Sequence, residues 1–312
     1  MAAISNTFMS LAAQGKNIVT SKHLFGNTYA LLVATLRRFG VKVRLRDLTN
    51  IEEVREAIDD DTCCVFLEIL TNPQLEVADL KAISEVAHEK NVPLVVDSTV
   101  IPFTQFSAKN LGVDIEVVSS SKYVSGGATS LGGLVIDYGT PYNGDFAKRL
   151  YGEMLFNFGA YMTPQVAYMQ TIGLETLDAR YRVQSGNALE LAKKLRTLPQ
   201  IQYVNYVGLE DNPYHELAQR QFGKTAGAMI CIDLESKEAC FSFLNNLQLI
   251  HRATNLFDNR SLAIHPASTI FGAFSENMRK SMDVKDTTIR LSVGLEDVND
   301  LFEDIKQAVG SL

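Results

Sequence analysis

The segment Ser119-Ser120-Ser121-Lys122-Tyr123 sets three hydroxyls directly before a lysine, and the glycine pairs Gly126-Gly127 and Gly132-Gly133 follow. A lysine in this setting has two readings. It can be a solvated loop lysine, the commoner case for a lysine taken alone. It can also be an amine that attacks a carbonyl to form a Schiff base, with hydroxyls holding a phosphate nearby. Asp97 bears on the choice. It ends Pro93-Leu94-Val95-Val96-Asp97, the most apolar strand-like run in the chain. A carboxylate there needs a partner, because unpaired burial costs several kcal/mol. The partner can be the amides of a helix cap or loop, or it can be a protonated pyridine nitrogen. A lysine for an aldehyde and a carboxylate for a ring nitrogen are the pair that a pyridoxal phosphate site requires.

Elements must carry these residues to one place. Residues 17–20, 41–45, 62–70, 93–97, 115–119 and 132–137 read as strands, the second by alternation and the fourth by an almost unbroken apolar run. Residues 27–39, 51–59 and 77–90 carry helical spacing between them. Strands alternating with helices imply βαβ units and a mostly parallel sheet, whose ligands sit at the carboxyl ends of the strands. Asn72, Asp97, Ser119, Ser121 and Lys122 all stand just past such ends. From about residue 164 the texture changes. A long helical stretch is expected to residue 198, then short strands near 204, 229–234 and 288–293, with helices over 238–247 and 297–309. This predicts a larger α/β domain over residues 1–163 and a connecting helix with a smaller α+β domain over residues 164–312.

Composition limits the remaining classes. At about 100–200 residues per domain, 312 residues suit two domains. A hydrophobic content of 46% against 21% charged residues is that of a globular chain and excludes a disordered one. The formal charge of −7 and the lack of a Lys/Arg block argue against nucleic acid. No uncharged apolar stretch is long enough to span a bilayer. The opening residues lack a basic region and read as an amphipathic helix ending near Gly15, with Ile4, Phe8 and Leu11 on one face. Cys63, Cys64, Cys231 and Cys240 have neither zinc-site nor disulfide-framework spacing. They read as buried free thiols, which fits a reducing cytoplasm.

In its ordered motifs the chain resembles the pyridoxal-phosphate enzymes of Cys/Met metabolism. The motifs are Thr71-Asn72-Pro73, Pro93 to Thr99, Ser119 to Lys122, Gly126-Gly127-Ala128-Thr129-Ser130, Gly173-Leu174-Glu175-Thr176-Leu177, His265-Pro266-Ala267-Ser268 and Arg290-Leu291-Ser292-Val293-Gly294. They extend over essentially the whole chain. The stretch His23-Leu24-Phe25-Gly26-Asn27-Thr28-Tyr29 looks most like the O-acetylhomoserine sulfhydrylase branch.

The resemblance implies fold type I, the aspartate-aminotransferase-like architecture, and pyridoxal 5'-phosphate as cofactor. It implies that Lys122 holds the cofactor and shuttles protons, that Asp97 pairs with the ring nitrogen, and that Ser119 and Ser121 bind the phosphate. Phe25 would stack on the ring, where tyrosine is usual. Met1 would lie at the phosphate cradle. Arg290 would clamp the substrate α-carboxylate, with Asn72 and Asn255 beside it. His265 is read as structural. Asn27 falls where methionine γ-lyases commonly carry a reactive cysteine, which tilts away from that activity. Phe257 replaces a residue that is usually small, which puts the pocket shape in question.

Family members also carry an N-terminal arm, a helix and a strand ahead of the Met1-Ala2-Ala3-Ile4 turn, so the first domain is expected to lack them. The arm normally gives a neighbouring subunit a phosphate-clamping arginine. The expected activity is γ-replacement on O-acetylhomoserine by sulfide or a thiol, giving homocysteine or methionine plus acetate. The alternatives are cystathionine γ-synthase, cystathionine or methionine γ-lyase chemistry, or a non-catalytic remnant or half of a split enzyme. A small amino-acid substrate, a homo-oligomer and a cytoplasmic location complete the expectation.

Overall fold

Along the strands of the first half, neighbouring apolar residues serve opposite sides of the sheet. Ile18, Phe66 and Val95 enter one buried cluster, while Val19, Val65 and Val96 enter another. This is the period-two alternation of a strand covered on both faces. The computed structural model describes residues 1–311. Its first sheet comprises β1 (Asn17–Ser21), β2 (Lys42–Arg46), β3 (Thr62–Glu68), β4 (Leu94–Asp97), β5 (Ile115–Val118) and β6 (Leu134–Asp137). Their order is β2-β1-β3-β4-β5-β6, parallel except for β6, which runs antiparallel to β5. The expected α/β class and mostly parallel sheet are therefore present.

The second half forms a sheet of its own, ordered β7-β8-β11-β10-β9. Its strands are β7 (Tyr203–Asn205), β8 (Met229–Asp233), β9 (His251–Arg252), β10 (Leu262–Ile264) and β11 (Thr288–Ser292). Tyr181, Phe222, Ile230, Leu291 and Val309 join the same buried cluster as Val19, Val65 and Val96, so one continuous core links the two sheets.

Several elements differ from expectation for local reasons. The helix over 77–90 starts only at Leu80, because the Asp79 side chain accepts from the Ala82 N–H and caps it there. The helix over 27–39 is present in three forms, α over Gly26–Ala30, π over Leu31–Thr35 and 3-10 over Leu36–Phe39. A single 164–198 helix was expected. The chain instead breaks at Thr176, between helices Pro164–Glu175 and Leu177–Leu195. The helix His215–Phe222 and strands β9 and β10 were not anticipated. The two strands are only two and three residues long, too short for periodicity to register.

The break at Thr176 aims the first of those helices at the lysine turn. A Cβ on Gly173 would lie 2.1 Å from the Val124 carbonyl oxygen, and one on Gly126 would lie 3.0 Å from Gly173 Cα. Only glycine at 173 lets the helix press this closely on the turn that follows Lys122. Arg180 fastens the contact: one of its nitrogens donates to the Tyr123 carbonyl at 2.8 Å and to that of Gly173 at 2.7 Å.

Candidate active site

The carboxyl ends of β3, β4 and β5 open on a cavity of about 390 Å³. Of the residues singled out above, Met1, Phe25, Asn27, Asn72, Asp97, Ser119, Lys122 and Arg290 line it. The fold thus brings together side chains up to 289 positions apart in the chain (Met1 to Arg290). Met1 precedes the helix Ala2–Leu11, whose first residues share the wall, so the positive end of a helix dipole faces the cavity.

Lys122 stands on a rigid platform. Tyr123 beside it is buried, stacks on Phe257 with ring centroids 4.2 Å apart, and meets Tyr181 edge-on at 5.3 Å. The Ser125 hydroxyl donates to the Ser121 and Lys122 carbonyls at 3.1 Å each. The Lys122 amine donates to Asn255 Oδ1, a neutral acceptor. Desolvation, with the nearby Arg290 charge, lowers its pKa to about 8. It gives up its proton far more readily than an ordinary lysine, as a nucleophile or base must.

Asp97 Oδ1 accepts from the Thr99 N–H at 2.9 Å, and desolvation raises its pKa. Directly across the β3–β4 pairing stands Glu68, 6% exposed and also in the cavity wall. Burial first, and the Asp97 charge second, hold the Glu68 carboxyl well above the usual range. Its Oε1 accepts from the Phe25 N–H at 2.6 Å, which fixes that aromatic residue at the cavity edge. The sequence reading passed over Glu68. The available signal was that it is the one charged residue in the apolar run TCCVFLEIL.

Arg290 lies mid-strand in β11 and is 1% exposed. Its Nη1 donates to Asn72 Oδ1 at 3.2 Å, and its Nη2 donates to the Thr254 and Asn255 carbonyls at 3.2 and 3.1 Å. Its Nε has no partner and no carboxylate pairs with the group among the described residues. Burial lowers its pKa to about 10. A buried guanidinium held only by neutral oxygens is a ready receptor for an anion.

Three expectations need adjustment. Ser121 is not in the cavity wall; its hydroxyl accepts from the Gly132 N–H at 2.9 Å and faces the Gly132 carbonyl at 3.2 Å. Asn255 lies outside the main cavity and lines the adjoining groove, reaching the site through its bonds to Lys122 and Arg290. Phe257 is fully buried against Tyr123 and does not shape the cavity. Its φ of +55° gives the reason a small residue is usual there: the backbone is left-handed, and glycine adopts that without strain. His265 sits outside the cavity, bonded to the Ser268 hydroxyl and the Asp286 carbonyl.

A mostly parallel sheet with a lysine of lowered pKa, a strand-end carboxylate and a helix N-terminus around one cavity defines a pyridoxal-phosphate enzyme of fold type I. Comparison with known proteins gives the family. Residues 1–310 match the model of the Cys/Met metabolism PLP-dependent enzymes, and the chain belongs to that family. It is 38% identical over 99% of its length to the L-methionine gamma-lyase of Fusobacterium nucleatum subsp. polymorphum, covering 78% of that protein. Two solved structures are similar over 99% of the chain. One is an O-acetylhomoserine sulfhydrylase of Wolinella succinogenes, with a TM-score of 0.88, 42% identity and 89% of that chain covered. The other, from Campylobacter jejuni, is assigned as an O-acetylhomoserine (thiol)-lyase and carries pyridoxyl-lysine monophosphate. Its TM-score is 0.95, with 33% identity and 80% of that chain covered. The protein is a pyridoxal-phosphate enzyme of the transferase/lyase type in sulfur amino-acid metabolism.

Proposed function

We propose that the chain exchanges the γ-substituent of O-acetylhomoserine for sulfide or a small thiol, releasing acetate. The carrying observation is the groove that continues from Lys122. Ala30, Val33, Ala34, Ile270, Ala273, Phe274 and Met278 line it beside the neutral polar Asn27, Thr254, Asn255 and Thr269, and Lys122 is its one charged side chain among the described residues. A second amino acid entering there would bring a carboxylate with no counter-ion, which a γ-synthase must provide. Sulfide and small thiols need none. Gamma-lyase chemistry is the second reading, favoured by the 38% identity to a methionine gamma-lyase.

The residues divide the work as follows. Arg290, braced by Asn72, receives the substrate α-carboxylate and orients Cα toward Lys122. The cofactor, when bound, supplies an electron sink for the pair left at Cα. Asp97 keeps a negative charge at the ring nitrogen. Ser119 and the helix that starts after Met1 hold the phosphate. Lys122, as the neutral amine, would take the Cα proton, give it up to the bound cofactor, take a Cβ proton as the γ-acetate leaves, and return protons to Cβ and Cα once the thiol has added. The groove admits the thiol beside Lys122.

Exposed Tyr151, Phe156, Phe158, Tyr161 and Tyr168 form an aromatic run that we assign to contact with a second copy of the chain. No helix among the described residues is long and apolar enough to cross a membrane.

The test is product analysis of the cofactor-loaded protein. Homocysteine and acetate appearing together, only when O-acetylhomoserine and sulfide are both present, supports replacement. Release of 2-oxobutyrate from methionine without added thiol supports the lyase.

A further inference from the structure

His23 lies just past β1, two residues before Phe25, and its side chain is 8% exposed. Both ring nitrogens face carboxylates: Nδ1 is 2.8 Å from Glu76 Oε2 and Nε2 is 2.8 Å from Asp283 Oδ2. A neutral imidazole carries one N–H and would turn a lone pair toward the second carboxylate. Only the imidazolium satisfies both. Three other groups belong to this cluster. Lys22 pairs with Asp283 at 2.7 Å from His23's own segment, the Ser21 hydroxyl accepts the His23 backbone N–H at 2.9 Å, and Tyr214 lies within the field of Glu76. Burial acts to lower the His23 pKa, but the Glu76 and Asp283 contacts outweigh it and the net shift is upward from 6.5.

The two carboxylates come from segments that carry the substrate-facing residues. Glu76 closes the turn that begins at Thr71: the Thr71 N–H donates to the Glu76 carbonyl at 3.1 Å, and the Glu76 N–H to the Thr71 hydroxyl at 2.9 Å. Asn72 sits inside that turn. Asp283 lies in the segment that leads into β11, which carries Arg290. A second tie runs the same way, from Gln74 Nε2 to the Met282 carbonyl at 2.6 Å. The two segments thus meet three times, through the His23 cluster, at Gln74–Met282 and at the Asn72–Arg290 pair.

We propose that His23 is a positioning residue, a charged latch that holds the Asn72 turn to the segment ahead of Arg290 and so sets the Asn72–Arg290 pair for the substrate carboxylate. The inference rests on the carboxylate role proposed for Arg290. Nothing in the chemistry at Lys122 requires His23, so its effect falls on substrate binding rather than on turnover.

The test compares the cofactor-loaded wild type with His23→Gln, whose amide cannot become charged, from about pH 5 to pH 9. KM for the acyl-homoserine, kcat and melting temperature are read at each pH. Relative to His23→Gln, the wild type's KM should be about 3- to 10-fold lower in acid and approach the variant's as pH climbs through the latch's titration, while the ratio of the two kcat values stays within about twofold at each pH. The variant should show the raised KM at every pH. The wild type's melting advantage over His23→Gln should be full below about pH 6.5 and fade as pH rises, the sign for a base whose folded-state pKa is raised. If His23→Gln does not fold, Asp283→Asn removes one exposed arm and should show the same pattern at smaller amplitude. A melting difference that is constant with pH, with KM tracking the wild type, would overturn the latch. Arg290→Lys run in parallel separates the two failures. Unchanged KM there overturns the carboxylate clamp. Raised KM there, with pH-independent behaviour at position 23, overturns the latch alone.

Discussion

Asn72 and Arg290 are 218 positions apart in the chain and meet at 3.2 Å, side chain to side chain, in the wall of the cavity that holds Lys122. Among the described residues Arg290 has no carboxylate partner and an unpaired Nε. Replacing it with lysine keeps the charge and removes the planar fork that grips a carboxylate at two points. Arg290→Lys should raise KM for the amino-acid substrate by roughly 30-fold or more, with a smaller change in kcat. Steady-state kinetics check this, and an equal loss in kcat alone would place Arg290 elsewhere in the reaction.

The lysine has its own pH signature. Its pKa is lowered to about 8, so the neutral amine that attacks an aldehyde grows as pH rises and is half-formed near that value. Cofactor uptake by the cofactor-free protein should therefore accelerate with pH and level off above about pH 8, as followed by absorbance in a stopped-flow instrument. A lysine with its ordinary value of 10.5 would still be accelerating at pH 9.5 or so.

Glu68 offers a stability test. Its folded-state pKa is raised well above 4.5, so above that pH the unfolded chain can ionise the carboxyl while the folded chain keeps it neutral. Glu68 therefore costs stability as pH rises through and beyond 4.5. Glu68→Gln keeps an oxygen for the Phe25 N–H and removes the cost. Its melting temperature should match the wild type in acid and exceed it increasingly toward neutral pH.

Phe257 combines a strained backbone with a fully buried ring. Phe257→Gly would relieve about 1 kcal/mol of left-handed strain and lose about 3–5 kcal/mol of buried aromatic packing. The net expectation is destabilisation by about 2–4 kcal/mol in denaturant titration. Removal of the ring beneath Tyr123 should also loosen the Lys122 turn and lower kcat.

The strand ends were legible because apolar runs mark them. Asp97 closes the most apolar run and Ser119 follows the next strand, so the lysine turn could be placed on the sheet from the sequence. Phe25 and Arg290 became visible through family motifs. The rest depended on contacts that local patterning does not carry. Nothing around Ser121 signals that its hydroxyl bonds the Gly132 backbone, 11 residues on. Glu68 drew no notice within a strand run, because its neighbour Asp97 is adjacent only after β3 and β4 pair. Phe257, where the resemblance leads one to expect a small residue, raised a question of pocket shape, whereas the position is defined by its φ of +55°. The double pairing of His23 joins residues 53 and 260 positions away, beyond the reach of any local rule.

The central claim is that Lys122 is the residue that holds the cofactor. The direct measurement is to load the protein with pyridoxal phosphate, reduce it with borohydride, and map the modified lysine by mass spectrometry beside Lys122→Ala. The account predicts a pyridoxyl group on the peptide containing Lys122 and none in the variant. Label on a different lysine, or equal labelling of the variant, would contradict it.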